Sequence, residues 1–168
     1  MARVIPKPGE TFTGDDPAVV KVAKCVLFAT ASRDSDVDTL AGDVEVPVFG
    51  DSSAAQVLAI FSVPAGCFVH ELLAETKISW GGSSDVVEVT VGDTASASGY
   101  FTDTAWSSTS HAAGLPQSSK LVSAGTYAAG KRYAAATDIE VTITPITSAA
   151  AATGYTVFHL VYSMAGAL

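Results

Sequence analysis

Apolar and polar residues alternate with a period of two along most of this chain, the pattern of strands that bury one face. From Val19 onward, Val20, Val22, Val26 and Phe28 fall on one face and Lys21, Ala23, Cys25 and Leu27 on the other. Asp43–Phe49 alternates again, and Pro47 confines that strand to a sheet edge or a strand end, because proline gives no N–H to a ladder. Val57, Ala59, Phe61 and Val63 oppose Leu58, Ile60 and Ser62, and Pro64-Ala65-Gly66 then turns the chain. The longest run is Cys67 to Trp80. Phe68, His70, Leu72, Ala74, Thr76 and Ile78 share one side of it, and Val69, Glu71, Leu73, Glu75 and Lys77 the other. Leu72, Leu73 and Glu75 are good helix formers, but the β-branched flanks and an alternation that persists to Trp80 predict a strand.

Gly81-Gly82-Ser83-Ser84-Asp85 reads as a hairpin turn into Val87, Val89 and Val91, and Gly92-Asp93 ends that strand. Residues 94–125 read as a long Ser, Thr, Ala and Gly-rich loop that carries Tyr100, Phe101 and Trp106. Tyr127–Tyr133 reads as a short strand kinked at Gly130. Ile139, Val141 and Ile143 mark another strand, and Tyr155, Val157, His159 and Val161 the last. Ala149–Ala152 is too short to nucleate a helix alone. Residues 1–18, punctuated by Pro6, Pro8, Gly9, Gly14 and Pro17, read as an extended arm that frays or lies across a neighbouring subunit. The expectation is an all-β chain: an antiparallel β-sandwich, jelly-roll or immunoglobulin-like, over 19–168, preceded by an extended N-terminal arm.

Composition adds exclusions. Apolar residues make up 48% of the 168 residues and charged residues only 15%, with 28 Ala and no Asn. Disorder is excluded, since such a chain has apolar surface to bury and little charge to repel. A net charge of −8 argues against a nucleic-acid partner, which needs a basic face, and equally against an anionic membrane surface. Met1–Gly9 lacks the apolar core of a secretory signal, and no apolar run is long enough for a membrane helix. Cys25 and Cys67, set in apolar segments, read as buried thiols.

Candidate chemistry is sparse. Asp34, Asp36, Asp38 and Glu45 stand at the first, third, fifth and twelfth positions of a calcium-loop spacing, but the sixth position is Thr39 where the sharp turn wants Gly. The flanks are strand-like, so an acidic solvated turn is the preferred reading. His70 beside Glu71 falls short of a cupin ligand set, since adjacent strand residues point to opposite faces; His111 and His159 lie elsewhere. There is no G-x-S-x-G elbow and no phosphate-cradling loop, and Lys131-Arg132 reads as strand-flanking cations or carboxylate partners. No cofactor and no catalysis are expected. Tyr100, Phe101 and Trp106 would be costly to leave in water, so they either fold back as a lid or cover a partner.

Two blocks of residues together resemble a known class of protein. The first comprises Val63–Gly66, the run to Trp80, Val89-Thr90-Val91-Gly92-Asp93 and Ala97-Ser98-Gly99-Tyr100-Phe101. The second comprises Ala124–Tyr133, Ile139–Thr144 and Gly154–Tyr162. Over residues 57–164 this cadence resembles the small β-sandwich head proteins of tailed bacteriophages; residues 1–56 depart from it. The resemblance implies a capsid decoration (cement) protein on the head exterior of a virion assembled in the host cytoplasm. Its partners would be the major capsid protein and copies of itself, as a homotrimer, with no catalytic residue. Arg3, Val4, Ile5, Pro6 and Phe12 of the arm, with Tyr100, Phe101 and Trp106, are then the expected capsid or neighbour contacts. The alternatives are a tail, neck or fibre component, or a carbohydrate-binding sandwich that uses the exposed aromatics and calcium.

Overall fold

The computed structural model describes residues 3–4, 20–29, 44–46, 55–78, 87–105, 116–118, 126–145 and 154–164. Within them the elements are strands, in chain order β1 (Arg3–Val4), β2 (Lys21–Ala29), β3 (Val44–Val46), β4 (Gln56–Val63), β5 (Cys67–Ile78) and β6 (Val87–Asp93). There follow β7 (Ser96–Ala105), β8 (Pro116–Ser118), β9 (Lys131–Arg132), β10 (Thr137–Pro145) and β11 (Tyr155–Met164). They form two sheets. The first has the order β1-β4-β10-β6-β7, and the second β3-β2-β11-β5-β8 with β9 also on β5. Pairing is antiparallel apart from the short edge strands β1 on β4 and β3 on β2, which run parallel. The fold is a β-sandwich, as the alternation predicts. β3 stops at Val46 and lies at the sheet edge, where Pro47 would put it.

The inner faces interlock into one core. Ile60, Phe61, Val63, Val89, Val91, Ile139, Val141 and Ile143 come from the first sheet; Cys25, Leu27, Cys67, Val69, Leu72, Phe158 and Leu160 come from the second. Val26, Phe28 and Val157 form a smaller buried cluster of their own. The hydroxyls of Thr76 and Thr156, buried at matching register positions, satisfy one another at 3.1 Å.

Several local expectations change. β5 and β6 belong to different sheets, so the segment between Ile78 and Val87 joins sheets and is no hairpin turn. The hairpin is instead β6–β7, closed around Asp93, whose Oδ1 accepts from the N–H groups of Ala95 (2.9 Å) and Ser96 (3.1 Å). Ser96–Ala105 is therefore a strand inside the stretch read as loop. Thr126–Ala129 is a turn that precedes β9, with Gly130 at φ +89°, where a side chain would be strained. β5 does not keep one alternation: the register steps from Val161 opposite Glu71 to Tyr162 opposite Val69, which leaves His70 as a bulge. Cys67 and Val69 face inward before it, and Leu72, Ala74 and Thr76 after it. β4 has the same device at Ile60, so Ile60 and its neighbour Phe61 are both buried.

Candidate functional site

Among the described residues, those singled out in the sequence do not converge. Asp34, Asp36, Asp38, Ile5, Pro6, Phe12, Trp106 and His111 lie outside the described residues. Glu45 sits in β3, in register with Phe28. Arg3 and Val4 form β1 on this chain's own β4, opposite Phe61 and Ser62. Tyr100 and Phe101 correct the expectation most directly. They sit in β7 with exposures of 0% and 1%, as core residues and neither an outer lid nor a contact surface. His70 Nε2 lies 2.9 Å from Ser163 Oγ and packs edge-on to Phe68. His159 pairs across the sheet with Leu73 and Lys24; burial first, then the Lys24 and Lys77 cations, lower its pKa against the opposing pull of Glu75. Among the described residues no three His, Cys, Asp or Glu side chains are placed to hold a metal ion.

What the fold does assemble is a polar network at one end of the sandwich. Asp93, only 3% exposed, closes the β6–β7 turn. Its Oδ1 also accepts from the Tyr127 hydroxyl at 3.0 Å; its Oδ2 accepts from Lys131 Nζ at 2.6 Å and from the Tyr133 hydroxyl at 2.8 Å. Tyr133 has one proton and spends it on Asp93, so Tyr100, 2.9 Å away, must be the donor in their pair. Lys131 donates to Tyr127 Oη as well, at 2.5 Å, and its ammonium lies 3.9 Å from the centre of the Tyr127 ring. Tyr100 meets Tyr127 edge-to-face at 5.2 Å.

Three backbone features hold this arrangement. Gly99 lies under the Tyr127 ring, where an added Cβ would stand 2.0 Å from a ring carbon. Tyr127 N–H donates to the Gly99 carbonyl at 2.8 Å. Tyr133 is stitched to the corner between β4 and β5: its N–H donates to the Cys67 carbonyl, and its carbonyl accepts from Gly66 N–H.

The charge states follow from the contacts. Burial would raise the Asp93 pKa, but the hydrogen bonds from Lys131, Tyr133, Tyr127 and the Ala95 N–H outweigh it and hold the carboxyl below its ordinary value. Burial pulls Lys131 down, and the Asp93 and Tyr127 partners more than reverse that, so its pKa is raised. Burial chiefly, with the neighbouring Tyr100 and Asp93, pushes Tyr133 far up, and burial likewise raises Tyr100. Asp93 is thus an ionised carboxylate with five donors on roughly four lone-pair sites. No lone pair is left for a substrate proton. The same charge states oppose an amide bond between Lys131 and Asp93, which needs both groups neutral. The network is built to hold β6–β7, the 126–133 segment and the β4–β5 corner in one geometry.

Gly92-Asp93, Tyr100 and Tyr127–Tyr133 stand in the two blocks of the sequence pattern, but nothing in that pattern connects them. A signal was present: an Asp placed just after a strand glycine, and a Lys flanked by tyrosines at Tyr127 and Tyr133.

Comparison with known protein families and with curated proteins finds no match. Solved structures do match. A chain in the capsid asymmetric unit of cyanophage Pam1 shares this fold. It is 19% identical, with a TM-score of 0.52, and the alignment covers 98% of this chain and 94% of that one. A chain in the capsid of Ralstonia phage GP4 is 16% identical with a TM-score of 0.47, over 82% of this chain and 97% of that one.

Proposed function

We propose that the protein is a structural component of a tailed-phage virion, a decoration (cement) protein bound to the outside of the head. The observation that carries this reading is the likeness of fold, along nearly the whole of both chains, to a chain in the cyanophage Pam1 capsid. The residue cadence over 57–164 supports it independently of the fold. So does the chemistry of the Asp93 cluster, whose carboxylate is saturated by donors of this chain and which acts as a fastener. In this reading the protein works by contact area and not by catalysis. Its partners are the major capsid protein and further copies of itself, as a trimer, on particles assembled in the host cytoplasm. Short side chains suit such a surface, because few rotamers are frozen at each contact. The −8 charge keeps unassembled copies apart in solution.

The test is to mix purified protein with empty phage heads, sediment the particles and measure the mass of the free protein by light scattering. Saturable co-sedimentation, a trimeric mass and a higher melting temperature for the coated heads are expected. Saturable binding to isolated tails with none to heads would instead assign the protein to the tail, neck or fibre.

A further inference from the structure

Among the described strands β1 is the one parallel strand of the first sheet and is two residues long, with Arg3 opposite Phe61 and Val4 opposite Ser62. It occupies only the far end of β4. Among the described strands none lies along the remaining outer edge, Gln56 to Ile60, where Val57 is 56% exposed. A sheet edge is a template for a further strand, and at Phe61–Ser62 this one accepts the chain's own N-terminal residues. Sixteen residues, 5–20, separate Val4 from β2, which lies in the opposite sheet. Extended, they could span up to about 50 Å, well beyond the thickness of a sandwich. Because β1 runs parallel to β4, residues after Val4 would pass the end of β4 at Val63 and only Met1 and Ala2 could extend the pairing towards Ile60, so the clip is short.

We propose that β1 is exchanged between copies, Arg3–Val4 of one chain pairing with Phe61–Ser62 of its neighbour. The exchange trades identical backbone hydrogen bonds, so it costs little, and the linker length decides whether the strand closes on its own chain or the next. Arm-to-edge contact is head-to-tail and can close a ring, which rests on the reading of the protein as a homo-oligomer. Within such a ring the neighbour's edge is held at a high effective concentration, as the chain's own edge is, so exchange carries no dilution penalty.

Cross-linking decides it. Val4→Cys chains and isotopically labelled Ser62→Cys chains are refolded together and oxidised, so that a bridge between positions 4 and 62 can form only between copies. The expected product is a mixed covalent dimer that peptide mapping assigns to residues 4 and 62. The native thiols, Cys25 and Cys67, are buried and do not compete. The Val4→Cys/Ser62→Cys double variant gives the second reading: covalent multimers if the strand is exchanged, and a bridged single chain if it is not. Bridged single chains within an oligomer of unchanged mass would overturn the exchange alone. Bridged single chains together with a monomeric mass would overturn both the exchange and the oligomeric reading.

Discussion

At Asp93 five donors converge on two oxygens, so Asp93→Asn turns an acceptor into a group that meets them with its own N–H and leaves Lys131 without its counter-ion. The expected loss is about 2–3 kcal/mol by urea denaturation at pH 7, moderated because the Lys131 side chain keeps 20% of its surface in water. The pH profile carries a sign. The folded pKa of Asp93 lies below its unfolded value of about 3.9, so its contribution is present above that pH and is lost as pH falls through the folded value. Wild type and Asp93→Asn should therefore converge in stability on acidification below about pH 4. Lys131, Tyr100 and Tyr133 have raised values, so their contributions are present below about pH 10 and fade as pH climbs beyond it. Ultraviolet titration of the folded protein should accordingly leave these two tyrosines un-ionised until alkaline unfolding. Ionisation of all five tyrosines in one step near pH 10, with the fold intact, would refute the network.

At the scale of elements, the glycines separate steric need from backbone need. A Cβ on Gly92 would lie 1.9 Å from the Ser96 carbonyl oxygen, a backbone atom that cannot swing away, so Gly92→Ala should break the β6–β7 hairpin and leave the protein unfolded or insoluble. Gly99→Ala should displace the Tyr127 ring and pull its hydroxyl off Asp93. Gly66 has open space around its Cβ position and only a φ of +82° against substitution, so Gly66→Ala should cost about 1–2 kcal/mol and lower Tm by a few degrees. Thermal melts should place Gly99→Ala below Gly66→Ala, and Gly92→Ala should give no folded protein to melt. The same geometry explains what the residue pattern could convey. Val89/Val91 and Ile139/Val141/Ile143 alternate without interruption, and their strands are legible. β5 and β4 each change phase at a bulge, His70 and Ile60, and a bulge leaves no mark on composition beyond two neighbouring residues that seem to want the same face. β7 was hidden for a different reason. Its sequence, SASGYFTDTA, is small and polar, with Gly99 admitting a tyrosine ring, so a core strand reads as a loop. The network was equally obscure, because Asp93 and Tyr133 stand forty residues apart and meet only once the sheets have stacked.

Across the whole molecule, the strand register keeps the two thiols apart. Cys25 is opposite Phe158 and Cys67 opposite Met164, six residues further along β11, or about 20 Å, so no disulfide can join them. Burial also raises the Cys67 thiol to about 11. An aromatic disulfide reagent should find no reactive thiol in the native protein and two equivalents after unfolding without reductant. The sheet orders carry one more consequence, and it concerns timing. β10 occupies the centre of the first sheet and β11 the centre of the second, yet they are the last two described strands to be made. While a ribosome is still translating, β2, β4, β5 and β6 are already out but lack the neighbour that gives each sheet its continuity; the β6–β7 hairpin and the short pairings of β1, β3, β8 and β9 leave both sheets split. A nascent chain therefore has no finished face to offer another copy. Self-association is deferred until translation has passed Met164, so that the molecules able to meet one another already hold the central strand of each sheet.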